Sequence, residues 1–131
     1  MVILGIDYGD KKVGLAKADT LAGVATPFEV IFRQDDQSLA NEIKDLCGSE
    51  GFAEVVIGLP LSLDSSHSEQ TVKTKNFVEV LRQVLDIPVR LIDERLTSQE
   101  AKRATKKSGL VQDDAVAASI ILQSYLDKTK K

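Results

Sequence analysis

Val2-Ile3-Leu4-Gly5-Ile6-Asp7-Tyr8-Gly9-Asp10-Lys11-Lys12-Val13-Gly14-Leu15-Ala16-Lys17-Ala18 decides the fold. Two short apolar runs flank the turn-like Gly9-Asp10-Lys11-Lys12 and read together as a β-hairpin. A third run, Val24 to Phe32, is rich in Val, Ile and Phe and extends the antiparallel meander, with Pro27 asking for an edge position or a bulge. The pattern then changes. Leu39, Ile43 and Leu46 recur at helical spacing, so Asp35 to about Ser49 predicts an amphipathic helix that stops near Gly51. Glu54-Val55-Val56-Ile57-Gly58 is a nearly all-apolar strand of the kind buried on both faces, and Leu59-Pro60 ends it. Ser66 and Glu69 have capping-box spacing ahead of Phe77, Leu81 and Val84-Leu85, which predicts a helix from Ser66 to about Leu85. Pro88 to Ile92 is the next strand. Thr97 and Glu100 form another capping pair and open a helix with Ala101 and Ala104 inside. The last helix begins near Asp113 and is apolar almost all round from Ala115 to Leu126, so it must be well buried. This order predicts an α/β fold: a mixed five-stranded sheet with helices on both faces, whose first, fourth and fifth strands run parallel through right-handed crossovers.

The chain has 131 residues, 43% hydrophobic and 28% charged, which is the composition of an ordinary globular domain. Two domains do not fit in that length, so one domain over residues 1–127 is expected, with a basic tail at 128–131. Cys47 is the only cysteine, which excludes an internal disulfide and a thiolate metal cluster; it reads as a small core hydrophobe of a protein in the reducing cytoplasm. The start lacks a basic n-region and no apolar run approaches the roughly 18 residues of a membrane span, so neither secretion nor membrane insertion is expected. Charge is uneven. Residues 1–65 hold five Lys/Arg against eleven Asp/Glu, net -6, whereas residues 66–131 hold twelve against nine, net +3, so the cationic surface lies in the second half.

In open sheets of this kind, ligands bind beyond the carboxyl ends of the parallel strands. Asp7 lies at such an end, Asp93-Glu94 follows another, and Asp114 begins a helix that has to pack back on the sheet. Three carboxylates from distant parts of the chain thus converge on one crevice. Crowded carboxylates repel one another, and a hard divalent cation relieves them. With one histidine in the chain, His67, a zinc site or a Ser-His-Asp triad has too few imidazoles and thiolates, and magnesium or manganese is expected instead. Two such ions about 4 Å apart activate a water on one side of a phosphodiester and stabilise the leaving oxygen on the other. Of Asp113-Asp114, one must cap the helix, and the cap is given to Asp113. Lys102, Arg103, Lys106 and Lys107 form a basic helix face that either grips phosphates or is plain solvated surface. His67 reads as a surface loop residue. Gly9 and the turn around Lys11 let a backbone approach phosphates closely, as the similar first phosphate loop of the actin, heat-shock-chaperone and sugar-kinase ATPases does.

Gly5-Ile6-Asp7-Tyr8-Gly9 with Gly14, Val56-Ile57-Gly58-Leu59-Pro60-Leu61, Asp93-Glu94-Arg95-Leu96-Thr97 and Asp114-Ala115-Val116-Ala117-Ala118 together resemble the YqgF family, also called RuvX, over nearly the whole chain. The resemblance implies an RNase H-like fold and a nuclease that processes the 5′ end of pre-16S rRNA or resolves Holliday junctions. By motif it makes Asp7, Glu94 and Asp114 both catalytic residues and metal ligands. It gives Arg95 a place on substrate phosphate or in bracing the site, a role that a planar donor fork suits. This chain departs from the family pattern in two places: Ser65-Ser66 follows Asp64 where glycine is usual, and the stretch from Glu94 to Asp114 is short. Both fall on loops expected to meet substrate, which decide among a single strand, a duplex and a four-way junction. The implied partners are structured RNA or branched DNA, with ribosomal particles a further possibility, for a monomer or a homodimer. Two other classes stay open: a non-catalytic RNA-binding scaffold and a nucleotide-binding module.

Overall fold

The computed structural model describes residues 1–60, 69–93 and 113–129, the last stretch without the side chain of Asp113. Strands β1 (Val2–Asp7), β2 (Lys12–Asp19) and β3 (Val24–Phe32) lead into helix α1 (Asp36–Glu50) and strand β4 (Phe52–Leu59). Helix α2 (Glu69–Val84), strand β5 (Val89–Asp93) and helix α3 (Asp113–Thr129) complete the described elements. The five strands form one sheet in the order β3-β2-β1-β4-β5. β1, β2 and β3 are an antiparallel meander, and β4 and β5 run parallel to β1. Pro27 sits where its missing N–H does least harm: β3 is an edge strand, and the register slips between Leu15, opposite Glu29, and Ala16, opposite Pro27.

Local chemistry sets the helix ends. The Asp35 carboxylate accepts from the Ser38 N–H at 2.7 Å and caps α1, while Gly51, at φ 73°, stops it in the left-handed region. The capping pair at Ser66 and the helix expected from Thr97 lie outside the described residues.

Side chains alternate across the sheet. Leu4, Ile6, Tyr8, Val13, Leu15, Val55 and Ile57 face α1 and α2, where they pack with Leu39, Ile43, Phe77 and Leu81. Ile3, Ala16, Ala18, Val56 and Ile92 face α3 and meet Ala118, Ile121, Leu122 and Leu126. Cys47 is in the first of these cores, and burial pushes its thiol up to about 11. α3 is well buried, as its composition leads one to expect. Ala115, Ala118, Ile121, Leu122 and Leu126 form one buried stripe, and Val116, Ala117 and Ile120 are half-buried, because one sheet face covers one side of a helix. α3 runs to Thr129, with Lys128 in its last turn. Among the described residues no helix is long and apolar enough to cross a membrane.

Two polar anchors fix α3. The Gln123 amide accepts from the Ala25 N–H at 2.9 Å and donates to the Gly23 carbonyl at 3.0 Å, tying the helix to the β2–β3 turn. Glu54, 7% exposed, accepts from Tyr125 Oη and Arg90 Nε on the same oxygen, which satisfies a carboxylate that would otherwise be buried alone.

Candidate active site

The parallel strands β1, β4 and β5 end together. Ile6 is level with Ile57, Gly58 with Ile92 and Leu59 with Asp93, so Asp7 and Asp93 both lie at the carboxyl edge of the sheet. Asp7 is the last residue of β1 and is half-buried. By the two-residue alternation from Ile3 it points to the α3 face.

α3 reaches the same corner because two positions of the sheet beneath it, Gly5 and Gly14, carry no side chain. A methyl on Gly5 would meet Leu122 Cβ at 2.8 Å and the Ala118 carbonyl at 3.3 Å. A methyl on Gly14 would overlap the Asp114 carbonyl. Gly14 is the register partner of Asp7. The chain Asp7–Gly14–Asp114 is therefore continuous: a strand end, the glycine beside it, and the first turn of the helix resting on that glycine. Asp114 is half-buried. Of the expected site residues, the fold brings together Asp7, Gly14's neighbour Asp114, and the Gly9–Lys11 turn. Glu94, Arg95, Lys102, Arg103, Lys106 and Lys107, as well as His67, lie outside the described residues. Among the described residues no group of three or more His, Cys, Asp or Glu side chains could hold a metal ion.

On the other face of β1 the next residue, Tyr8, does different work. Its ring stacks on Phe77 with centroids 4.7 Å apart, and its hydroxyl donates to Asp36 Oδ1 at 2.6 Å. Burial first, and then the bond to Asp36, push its pKa well above the usual phenol value. Asp36 also accepts from Arg33 Nε at 2.8 Å, and Gln70 Nε2 donates to the Tyr8 carbonyl at 3.4 Å. The end of β1 is thus held by α3 on one side and by α1 and α2 on the other. Beyond Tyr8 lies an open cleft of about 410 Å³ lined by Asp10, Lys11, Arg33, Asp36, Lys73 and Asn76. Sequence reasoning singled out only Lys11 of these. Arg33 lies in the connection from β3 to α1 and Lys73 on α2, 40 residues apart, and no local pattern joins them.

A family model described as RuvX, Holliday junction resolvase, matches residues 1–128. The chain belongs to the RuvX family. Among its RuvX relatives, a candidate pre-16S rRNA nuclease of Halothermothrix orenii is 38% identical over 139 residues, covering 100% of this chain and 98% of the relative. Another of the same description, from Chloroflexus aggregans, is 39% identical over 131 residues, covering 95% and 92%. Among solved structures, T. thermophilus RuvC in complex with Holliday junction substrate superposes with a TM-score of 0.66 at 13% identity, covering 99% of this chain and 97% of that one. The Fowlpox virus resolvase with Holliday junction DNA gives 0.64 at 11% identity over 100% of both chains. At such identities these likenesses speak for the fold, and the RuvX chain has the RNase H-like one.

Proposed function

We propose that this RuvX-family chain is a divalent-metal-dependent endonuclease of the cytoplasm, acting as one domain over residues 1–127 on structured RNA, with the 5′ end of pre-16S rRNA as its target. The observation that carries this reading is the seating of the Asp114 backbone on Gly14, the register partner of Asp7, which supports a shared corner for the two residues. Glu94, next in the chain after Asp93, is the third member of the set. Arg95, Lys102, Arg103, Lys106 and Lys107 hold substrate phosphates.

The donor chemistry fits a hard cation: Asp7 and Asp114 offer only oxygen, and the lone cysteine is buried in the core on the opposite face of the sheet. Magnesium or manganese bound there would neutralise phosphate charge and lower the pKa of an attacking water. The chain supplies rigidity. Asp7 ends a strand paired on both sides, and Asp114 starts a helix pinned by glycine contacts, so their charges need little reorganisation when substrate arrives. Gly9 keeps the β1–β2 turn tight, since a methyl there would come within 2.5 Å of the Lys12 carbonyl, and exposed Lys11 offers its charge to a phosphate.

A second reading has a specific support of its own, the family's description as a Holliday junction resolvase. A resolvase cuts two strands symmetrically and works as a dimer. Cleavage of a pre-16S rRNA 5′ segment and of a four-way DNA junction, side by side with manganese, separates the two. Wild type is expected to cut the RNA, and Asp7→Asn to lose at least about 100-fold, since even residues that only support metal ligands cost 10- to 100-fold. Junction cutting alone moves the function to recombination; RNA cutting undiminished in Asp7→Asn sinks the proposed site.

A further inference from the structure

We propose that the cleft between Lys11, Arg33 and Lys73, on the α1/α2 side of β1, binds a backbone phosphate of the nucleic acid next to the one being cut. The inference rests on the nuclease reading for its partner, and on the following geometry for its place. Residues 1–65 hold five Lys/Arg, and two of them, Lys11 and Arg33, line this one cleft. Lys73 reaches it from α2, and Asn76 adds an amide. The volume of about 410 Å³ falls within the range of small-ligand sites.

The guanidinium is set in advance. Arg33 Nε donates to Asp36 Oδ1 at 2.8 Å and one terminal nitrogen donates to the Asp10 carbonyl at 3.0 Å, which fixes its plane. Asp36 is itself held by the Tyr8 hydroxyl. The guanidinium also lies against Tyr8, its carbon 5.6 Å from the ring centroid, and a planar fork held this way matches phosphate oxygens. Asp36 is therefore committed to orienting Arg33. Asp10 is different. Lys73 Nζ lies 3.4 Å from both of its oxygens and 3.4 Å from Glu69 Oε1, with side-chain exposures of 43% for Lys73, 56% for Asp10 and 86% for Glu69, so these are weak, solvated pairs that a phosphate can replace. Asp10 thus acts as a stand-in anion that keeps Lys73 over the cleft.

The position suits a strand that continues past the catalytic corner. Tyr8 follows Asp7 directly, and consecutive Cα atoms are about 3.8 Å apart, so the cleft and the carboxylates occupy opposite faces of the same strand end. A nucleic-acid strand crossing that end presents one phosphate to Asp7 and Asp114 and another to the three cations.

The test is binding of a fluorescently labelled pre-16S rRNA 5′ segment, followed by anisotropy across a salt series in EDTA, where no cleavage occurs. Lys73→Ala is expected to weaken binding several-fold and to reduce the slope of log K against log salt by about 0.7 to 0.9, the loss of one phosphate contact. Asp10→Asn, which removes the competing anion, is expected to tighten binding. Lys44→Ala, an exposed lysine on α1 away from the cleft, serves as the charge-matched control. If Lys73→Ala shifts neither affinity nor slope more than Lys44→Ala does, the proposal falls. It also falls if calorimetry finds ATP or inorganic phosphate bound in a Lys73-dependent way while RNA binding ignores Lys73, since the cleft would then be a free-phosphate site. Because binding is read without metal, loss of the nuclease reading through absent cleavage leaves this result standing, and the reverse also holds.

Discussion

The two faces of the sheet pack their helices by opposite means. Against α1 and α2 the strands present Leu4, Ile6, Val13, Leu15 and Ile57, and large side chains such as Phe77, Ile43 and Leu81 fill the gap. Against α3 they present Gly5, Gly14, Ala16 and Ala18 beside Ile3, Val56 and Ile92, and over the glycines the helix comes down almost onto the strands. The first face is a filled core, which tolerates loss of a side chain as a cavity. The second is a close contact of main chains, which tolerates no addition. Since Asp114 rides on that contact, stability is concentrated on one face and the precision of the site on the other.

The sharpest way to break this contrast is Gly14→Ala. The added methyl collides with the Asp114 carbonyl, so α3 must lift at its first turn. We expect a stability loss of about 3 kcal/mol or more, and in the protein that still folds a cleavage loss of roughly 100-fold, the cost of a shift on the order of 1 Å. Chemical denaturation and single-turnover cleavage read the two effects. Normal cutting by a well-folded Gly14→Ala would show that Asp114 is not placed by this glycine. On the other face, Ile43→Ala removes a fully buried side chain of α1 and is expected to cost about 2–5 kcal/mol, with cleavage per folded molecule nearly unchanged. A collapse of activity without unfolding would merge the two faces into one functional unit.

What the sequence makes legible divides along the same line. The meander, α1 with its Asp35 cap and Gly51 stop, and the burial of β4 follow from local periodicity and turn chemistry, which a linear chain displays directly. A glycine in a strand signals that some backbone comes close, but not whose. Nothing around Gly14 names Asp114, 100 residues later, as the group that rests on it. Asp7 and Asp114 are recognisable as chemistry, whereas the cleft of Arg33 and Lys73 exists only after folding.

A smaller effect concerns alkaline pH. Desolvation, then the hydrogen bond to Glu54, push the Tyr125 phenol from 10.0 up to about 12. A folded-state pKa above the unfolded one stabilises fully below the unfolded value and is lost as pH rises through the folded one. Melting temperature is therefore expected to decline between pH 10 and 12, and Tyr125→Phe to flatten part of that decline. An unaltered profile would detach Tyr125 from Glu54. The smallest expected change is a gain. Gly48 lies in α1 with nothing within 4 Å of the position a methyl would take, so Gly48→Ala is expected to stabilise by about 0.4–1 kcal/mol. The same substitution at two glycines thus has opposite signs, and equal signs would undo the contrast drawn between open and closed contacts.

The Gln123 amide that grips Gly23 and Ala25 reaches back 100 and 98 residues along the chain. During synthesis, β1 to β5 emerge with the glycine-lined face bare, and the helix that covers it is made late. Asp7 then has no Asp114 beside it, so on the nuclease reading proposed above a growing chain still lacks a complete site. That corner forms when α3 docks and its amide closes on the turn, through contacts whose long sequence separation slows folding.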